Sequence, residues 1–212
     1  MLSVRGGSIP HLGAKPLKPT KMENILKKED YQGYTIEVWY DDYYDIRDCD
    51  RLGKFYTNIP RHFNPDGVGI EEILDDNNNV KDGYICVYVY AYIHSGIALS
   101  TSSFSDRWDS GLGGVVATTL DDAKKLGVAS KATENDVLEI LKQEVDELDA
   151  VCRGEVYGFT IYDESGNNVD SCGGFLKDNE AAMDEARGII DYWIQEEYKR
   201  LFAEAMNFEP MD

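Results

Sequence analysis

The stretch from Tyr84 to Ile93 constrains the fold most, because two kinds of side chain alternate along it without interruption. Tyrosine and cysteine occupy one set of alternate positions, while isoleucine, valine and alanine occupy the other. A period of two is typical of a β-strand, and aromatic and β-branched residues favour strands. Since both faces carry side chains that tolerate burial, the pattern predicts a central strand of a sheet.

Other parts of the chain predict the elements around this strand. Five further runs have strand-like composition: Tyr34–Tyr40, Lys54–Thr57, Gly114–Thr119, Val156–Tyr162 and Val169–Phe175. A short helix is predicted at 121–127, and a last helix begins at Asp178 or Asn179. The longer helix between them begins at Thr133, with Asp136 placed for a capping box, and ends before Gly154.

This order of strands, helix, hairpin and helix predicts an α+β fold. We expect a largely antiparallel sheet packed by two longer helices in a single domain, because 212 residues are enough for one sizeable core. Residues 1–30 differ from the rest. Up to Lys21 they contain four basic residues, three prolines and no acidic residue, which predicts a flexible basic tail before an acidic domain at 31–212.

The charge of the chain limits its partners. The net charge is −19, and because residues 1–28 hold six basic residues and one acidic residue, the remainder carries −24. Such a surface repels nucleic-acid phosphates, so we expect no direct binding of nucleic acid and a partner protein with a basic groove. No apolar run approaches the ~20 residues of a membrane span, so no membrane partner is expected.

Neither a metal ion nor another cofactor is predicted. Five aspartates lie between Asp41 and Asp50, but their spacing does not match a calcium-binding loop. The four cysteines are far apart and form no C-x-x-C pair. We therefore interpret them as reduced, buried thiols of a protein in the cytoplasm of a host cell.

A polar loop with a tryptophan follows the Tyr84–Ile93 run, in the sequence Ser105-Asp106-Arg107-Trp108-Asp109-Ser110-Gly111. Our main interpretation is structural: Trp108 fills an edge of the core and Arg107 pairs with a carboxylate. The alternative is that Arg107, Trp108 and Asp109 form a binding site. The other candidate binding residues are acidic: Asp45, Asp48, Asp50, Glu139, Asp146, Glu147 and Asp149.

Four segments of the chain carry a resemblance. They are His94-Ser95-Gly96, Phe104 to Gly111, Gly154-Glu155-Val156-Tyr157-Gly158-Phe159, and Asp170 to Phe175. In this order they resemble a set of small acidic proteins from bacteriophages and mobile elements that have no assigned chemistry. The resemblance spans residues 34–175 and implies a viral or mobile-element origin. Those proteins carry a tryptophan two residues after the last cysteine, where this chain has Gly174.

The leading hypothesis is a non-enzymatic phage or mobile-element accessory protein. It would bind and inhibit a host protein, such as a defence nuclease of the CRISPR or restriction type, through an acidic surface that mimics nucleic acid. The predicted helix at residues 133–152 carries a net charge of −6 over about 30 Å. Its charge density is lower than that of duplex DNA, which has one charge per ~1.7 Å, so mimicry would require several acidic segments on one face.

Two other hypotheses remain open. One is an enzyme or small-ligand-binding domain that uses the region from His94 to Ser110, where histidine, serines and aspartates occur together without a Gly-x-Ser-x-Gly elbow. The other is a homo-oligomeric structural or accessory protein.

Overall fold

The strands and helices follow the predicted order. A computed structural model describes residues 25–77, 79–128 and 131–206. Its elements, in chain order, are β1 (Ile25–Tyr31), β2 (Tyr34–Tyr40), β3 (Lys54–Thr57), β4 (Val68–Gly69), β5 (Tyr84–Ile93), β6 (Ile97–Ser100), β7 (Ser110–Thr119), α1 (Leu120–Lys125), α2 (Glu134–Arg153), β8 (Val156–Tyr162), β9 (Asn168–Leu176) and α3 (Asn179–Met206). Two short 3-10 turns lie at Ile46–Asp48 and Ile70–Glu72.

The predicted α+β class is confirmed, with the strands divided between two sheets. The first sheet has the order β1-β2-β8-β9 and is antiparallel throughout. The second has the order β4-β3-β7-β5-β6, and only its short β3–β4 pair is parallel. Helix α3 packs on the first sheet and α2 on the second, so each long helix covers one apolar sheet face.

Strand β5 is an internal strand, as its alternation predicts. It lies between β7 and the short edge strand β6. Its aliphatic side chains, including Val87 and Val89, are buried with Leu141 and Val145 of α2. The tyrosine face is only partly covered, and Tyr88 keeps 43% of its surface exposed.

Helix α2 has both of its predicted ends. Thr133 accepts a hydrogen bond from the backbone N–H of Asp136, and the Asp136 carboxylate accepts from the backbone N–H of Thr133 at 2.8 Å, which completes a capping box. Gly154 ends the helix with φ of 70°, a left-handed conformation that glycine adopts without steric cost.

The first sheet explains Gly158 in the segment from Gly154 to Phe159. The indole of Trp39 lies directly over it, so that a Cβ at this position would come within 2.4 Å of the ring. The Trp39 Nε1–H donates to Thr160 Oγ1 at 3.0 Å, and the tryptophan is only 5% exposed. The neighbouring Phe159 is fully buried against α3, so this segment supplies much of the first core.

The strands form two sheets rather than the single sheet expected, and three further features differ from the sequence-based predictions. Strand β6 was not predicted, because it is too short to show a period of two. Strand β1 was not predicted either: it is a charged edge strand that begins at Ile25, inside the segment predicted to be a flexible tail. Residues 1–24 of that predicted tail lie outside the described residues. Cys172 is exposed rather than buried, because it lies on the edge strand β9. Within the described ranges no helix is long and apolar enough to cross a membrane.

Candidate functional site

Residues 101–109, which we name the Trp108 loop, join β6 to β7. Trp108 is 96% exposed, so the prediction that it fills an edge of the core is wrong. The physical reason is that another aromatic side chain attaches the loop to the body. Phe104 packs on Tyr92 of β5 with ring centroids 5.9 Å apart, which leaves the indole free to point into solvent.

The backbone that carries Trp108 is held by Asp106. One carboxylate oxygen, Asp106 Oδ1, accepts from the backbone N–H of Trp108 at 2.8 Å and from that of Asp109 at 3.1 Å. The Ser110 hydroxyl donates to the Asp106 carbonyl. The two backbone N–H groups, Asp109 first, hold the pKa of Asp106 below its usual value, so the carboxylate stays ionised at neutral pH. The indole is therefore exposed on an ordered turn.

His94 and Asp109 fix the far end of the loop. His94 Nδ1 lies 2.9 Å from Asp109 Oδ2, and the Ile93 N–H donates to the Asp109 carbonyl at 2.8 Å. The imidazole also stacks on Tyr92 at 6.4 Å. A histidine–aspartate pair thus exists, but no serine hydroxyl bonds to His94 in the described part of the chain, and the Ser110 hydroxyl is used by Asp106.

Arg107 is exposed and forms no ion pair with any described residue, so its predicted pairing with a carboxylate is wrong. The nearest carboxylates in sequence already have partners. Asp106 is bound by backbone N–H groups and Asp109 by His94. Arg107 is consequently free to contact another molecule.

A shallow groove of about 280 Å³ begins at Trp108. It is lined by Ile59, His62, Ala91, Ile93, Trp108, Asp109, Ser110, Gly111 and Leu112. Its base is the aliphatic side of β5, and Trp108 forms part of its rim. Because the groove is open and mixes aliphatic with polar side chains beside an exposed indole, it suits an inserted side chain of a partner better than an enclosed small substrate.

The acidic connector, residues 41–53, joins β2 to β3 and lies against α2. Glu144 of α2 accepts from the backbone N–H groups of Leu52 and, at 2.8 Å, Gly53. Asp45 forms an ion pair with Arg47, whose side-chain hydrogen bond lowers the pKa of Asp45 to about 2. Asp50 is exposed, and the side chain of Asp48 lies outside what the structure describes.

The acidic residues of α2 have separate roles. Glu139 and Asp146 are exposed, with Lys142 2.6 Å from Glu139 and Lys177 3.8 Å from Asp146. Glu147 is half-buried. Burial raises the pKa of Tyr44 in the connector, and its hydrogen bond to Cys49 and the charge of Glu147 raise it further.

Asp149 is a structural residue rather than a free surface charge. It accepts from the backbone N–H of Leu99 at 2.7 Å and pairs with Arg153 at 2.9 Å. These contacts join the end of α2 to β6, whose first residue, Ile97, pairs with Ile93 beside the Trp108 loop.

The structure therefore brings the acidic connector together with α2, and it brings the end of α2 close to the strand that precedes the Trp108 loop. It does not produce an unbroken acidic face. Lysines or arginines compensate Asp45, Glu139, Asp146 and Asp149. We infer that the aromatic loop, rather than charge alone, would give a contact at this surface its strength.

Two buried charged residues behind the acidic connector, Glu144 and Arg51, were not predicted from the sequence. Glu144 lies among the exposed acidic residues of α2 in sequence but is itself buried, and burial raises its pKa above the usual value despite two backbone donors. A signal was present, because Glu144 lies three residues after Leu141 and four before Leu148, on the apolar stripe. Arg51 is also buried and binds Asp66 at 2.7 Å.

Among the described residues no group of three or more His, Cys, Asp and Glu side chains is arranged to hold a metal ion. No protein-family model, curated protein or solved structure matches this chain. Its functional interpretation therefore depends on the geometry of its own residues.

Proposed function

We propose that this is a binding protein that attaches to a basic partner protein, with Trp108 as the anchor of the contact. The main support for this proposal is that Trp108 is almost fully exposed, on a turn held by Asp106 and by the His94–Asp109 pair. Tryptophan is prominent among the residues that dominate binding energy at protein interfaces. Because the turn is already ordered, little conformational entropy is lost when the indole is buried.

The charge of the chain supports a basic partner. The residues after position 28 carry −24, and the connector contributes exposed carboxylates such as Asp50. Long-range attraction of this kind accelerates encounter, whereas the apolar anchor controls dissociation. The resemblance to phage and mobile-element proteins leads us to propose a host protein as the partner, with a defence nuclease as the specific hypothesis and inhibition as the consequence.

The test is a salt titration of binding. The immobilised full chain is exposed to lysate of a bacterial host, the retained protein is purified, and its association and dissociation rates are measured between 50 and ~500 mM salt. We expect the association rate to fall with salt, because exposed charges are screened over ~10 Å at 0.1 M. Reversing the charge of Asp50 together with Glu147 should reproduce that fall at low salt. Rates that do not respond to salt or to charge reversal would contradict the acidic-surface proposal.

The His94–Asp109 pair supports a second candidate, a hydrolytic enzyme with His94 as base. His94→Asn separates the two functions, because the asparagine amide still offers a donor toward Asp109 but has no basic nitrogen to accept a proton. We expect this variant to retain partner binding within about threefold of the wild type. If instead it inhibits or processes its target at least ~100-fold more slowly while binding it normally, the protein is an enzyme and the binding proposal fails.

A further inference from the structure

Helix α3 extends beyond the sheet that it covers. Its buried residues, Ala182, Met183, Ala186 and Ile190, all lie in its first half. From residue 195 to Met206 every residue is exposed, which at 1.5 Å per residue is an overhang of about 18 Å. The overhang gains no stability from packing on the sheet, and most helical stability in proteins comes from such packing, so a covering surface would stabilise it.

An apolar seam runs along α3 from Ile194, which is partly packed on the first core, into the overhang; we define it as Ile194, Tyr198, Leu201 and Ala205. These residues are separated by four, three and four positions, the spacing of the core residues of a coiled coil. Phe202 lies next to the seam and is 69% exposed, while Tyr198 is 71% exposed.

The seam also forms one wall of a groove of about 500 Å³. The opposite wall comes from the β1–β2 turn, where Tyr34 packs against Trp193 with ring centroids 5.7 Å apart. A ridge of apolar side chains thus lies beside a groove that can receive one, and this combination is what two helices need to interlock.

We propose that the seam is covered by the same seam of a second copy of this chain. The exposed parts of Tyr198, Leu201 and Phe202 amount to roughly 400 Å² of apolar side chain, since an aromatic side chain buries 150–250 Å². A standard interface buries ~800 Å² per partner and is a little over half apolar. The seam together with Phe202 therefore supplies about the apolar area that a stable dimer requires.

The local charge favours a second copy over other occupants. Residues 195–206 carry three acids and two bases, a net charge of −1, in contrast to the strongly acidic remainder. Lys199 pairs with Glu196 at 2.7 Å and Arg200 with Glu197 at 2.5 Å, both within the helix. Two copies can therefore meet here without the repulsion of the acidic surfaces, while a basic partner or an anionic membrane has little attraction to the seam.

The test is sedimentation velocity of the full chain, 23.9 kDa, from 1 to ~300 µM. We expect a monomer–dimer equilibrium that Tyr198→Glu with Leu201→Glu shifts at least 100-fold toward monomer, because each copy would bring buried charges into the seam. Tyr192→Glu is the matched control: it adds a charge to an exposed residue of the same helix away from the seam, and it should change the equilibrium less than threefold. The double variant should retain its melting temperature at the lowest concentration, since neither residue belongs to the core.

Two outcomes would overturn the proposal. One is a monomer at every concentration, and the other is a dimer that persists in the folded double variant. If removal of residues 1–24 converts a monomer into a dimer sensitive to Leu201→Glu, that segment of the same chain covers the seam instead. Failure of this test leaves the Trp108 proposal untouched, because Trp108 lies on a loop of the other sheet.

Discussion

Alanine at position 108 is expected to weaken binding of the captured partner about 30-fold or more while leaving the folded protein intact. The loss corresponds to about 2 kcal/mol, the size of an interface hot spot, and most of it should appear as faster dissociation. Because the indole is almost wholly exposed, its removal should change the free energy of unfolding by less than about 0.5 kcal/mol. Binding kinetics and chemical denaturation of the same preparation measure both quantities.

Two controls make this result decisive. Trp39→Ala removes a buried tryptophan of the same size and should cost about 3–5 kcal/mol of unfolding free energy. Tyr192→Ala removes an exposed aromatic ring from α3 and should leave the partner's dissociation rate unchanged. If Trp108→Ala instead lowers stability as much as Trp39→Ala, the indole belongs to the core, and if it changes neither stability nor binding, the loop is not the anchor.

Glu144→Ala should destabilise the fold by about 2–5 kcal/mol. The carboxylate receives the backbone N–H groups of Leu52 and Gly53, and its loss leaves both donors without a partner behind the acidic connector. An unsatisfied buried donor costs about 1–3 kcal/mol, and Leu52 is only half-buried. Equilibrium denaturation at pH 7 measures the effect, and loss of hydrogen-exchange protection in residues 49–53 would show where it acts.

Glu139→Ala provides the comparison on the same helix. Glu139 is exposed, and its one ion pair among the described residues is with Lys142, so its removal should change stability by less than about 0.5 kcal/mol. Equal effects of the two substitutions would mean that Glu144 does not hold the connector. Conversely, a Glu144→Ala protein that keeps its stability but binds the partner more weakly would identify this carboxylate as a surface contact.

The candidate site was only partly predictable. The sequence indicates that Trp108 and Arg107 lie in a polar loop between two strands, but it does not show which aromatic residue attaches that loop to the body. Phe104 and Trp108 are four positions apart and either could pack on Tyr92, so the choice depends on the path of the backbone. The turn around Asp106 determines that path through two backbone hydrogen bonds.

Local sequence patterns are enough to predict the individual strands and helix ends. Alternation in Tyr84–Ile93, the capping box at Thr133 and Asp136, and the glycine at 154 each depend on neighbours within a few residues, so they fix a strand and both ends of a helix. The strong acidity of the chain is equally a property of its composition. These features depend on the geometry of neighbouring residues and on the number of charged residues, and both can be obtained directly from the sequence.

Residues of the same type differ in burial for reasons that appear only once the chain is folded, as Trp39 and Trp108 show. Trp39 is covered because strand pairing places Gly158 beneath its ring, whereas Trp108 lies on a loop and is almost wholly exposed. Glu144 is buried because the connector, some ninety residues away in sequence, folds back to donate two N–H groups. Such pairings join distant segments through packing and hydrogen bonds, and local patterns along the chain do not reveal them.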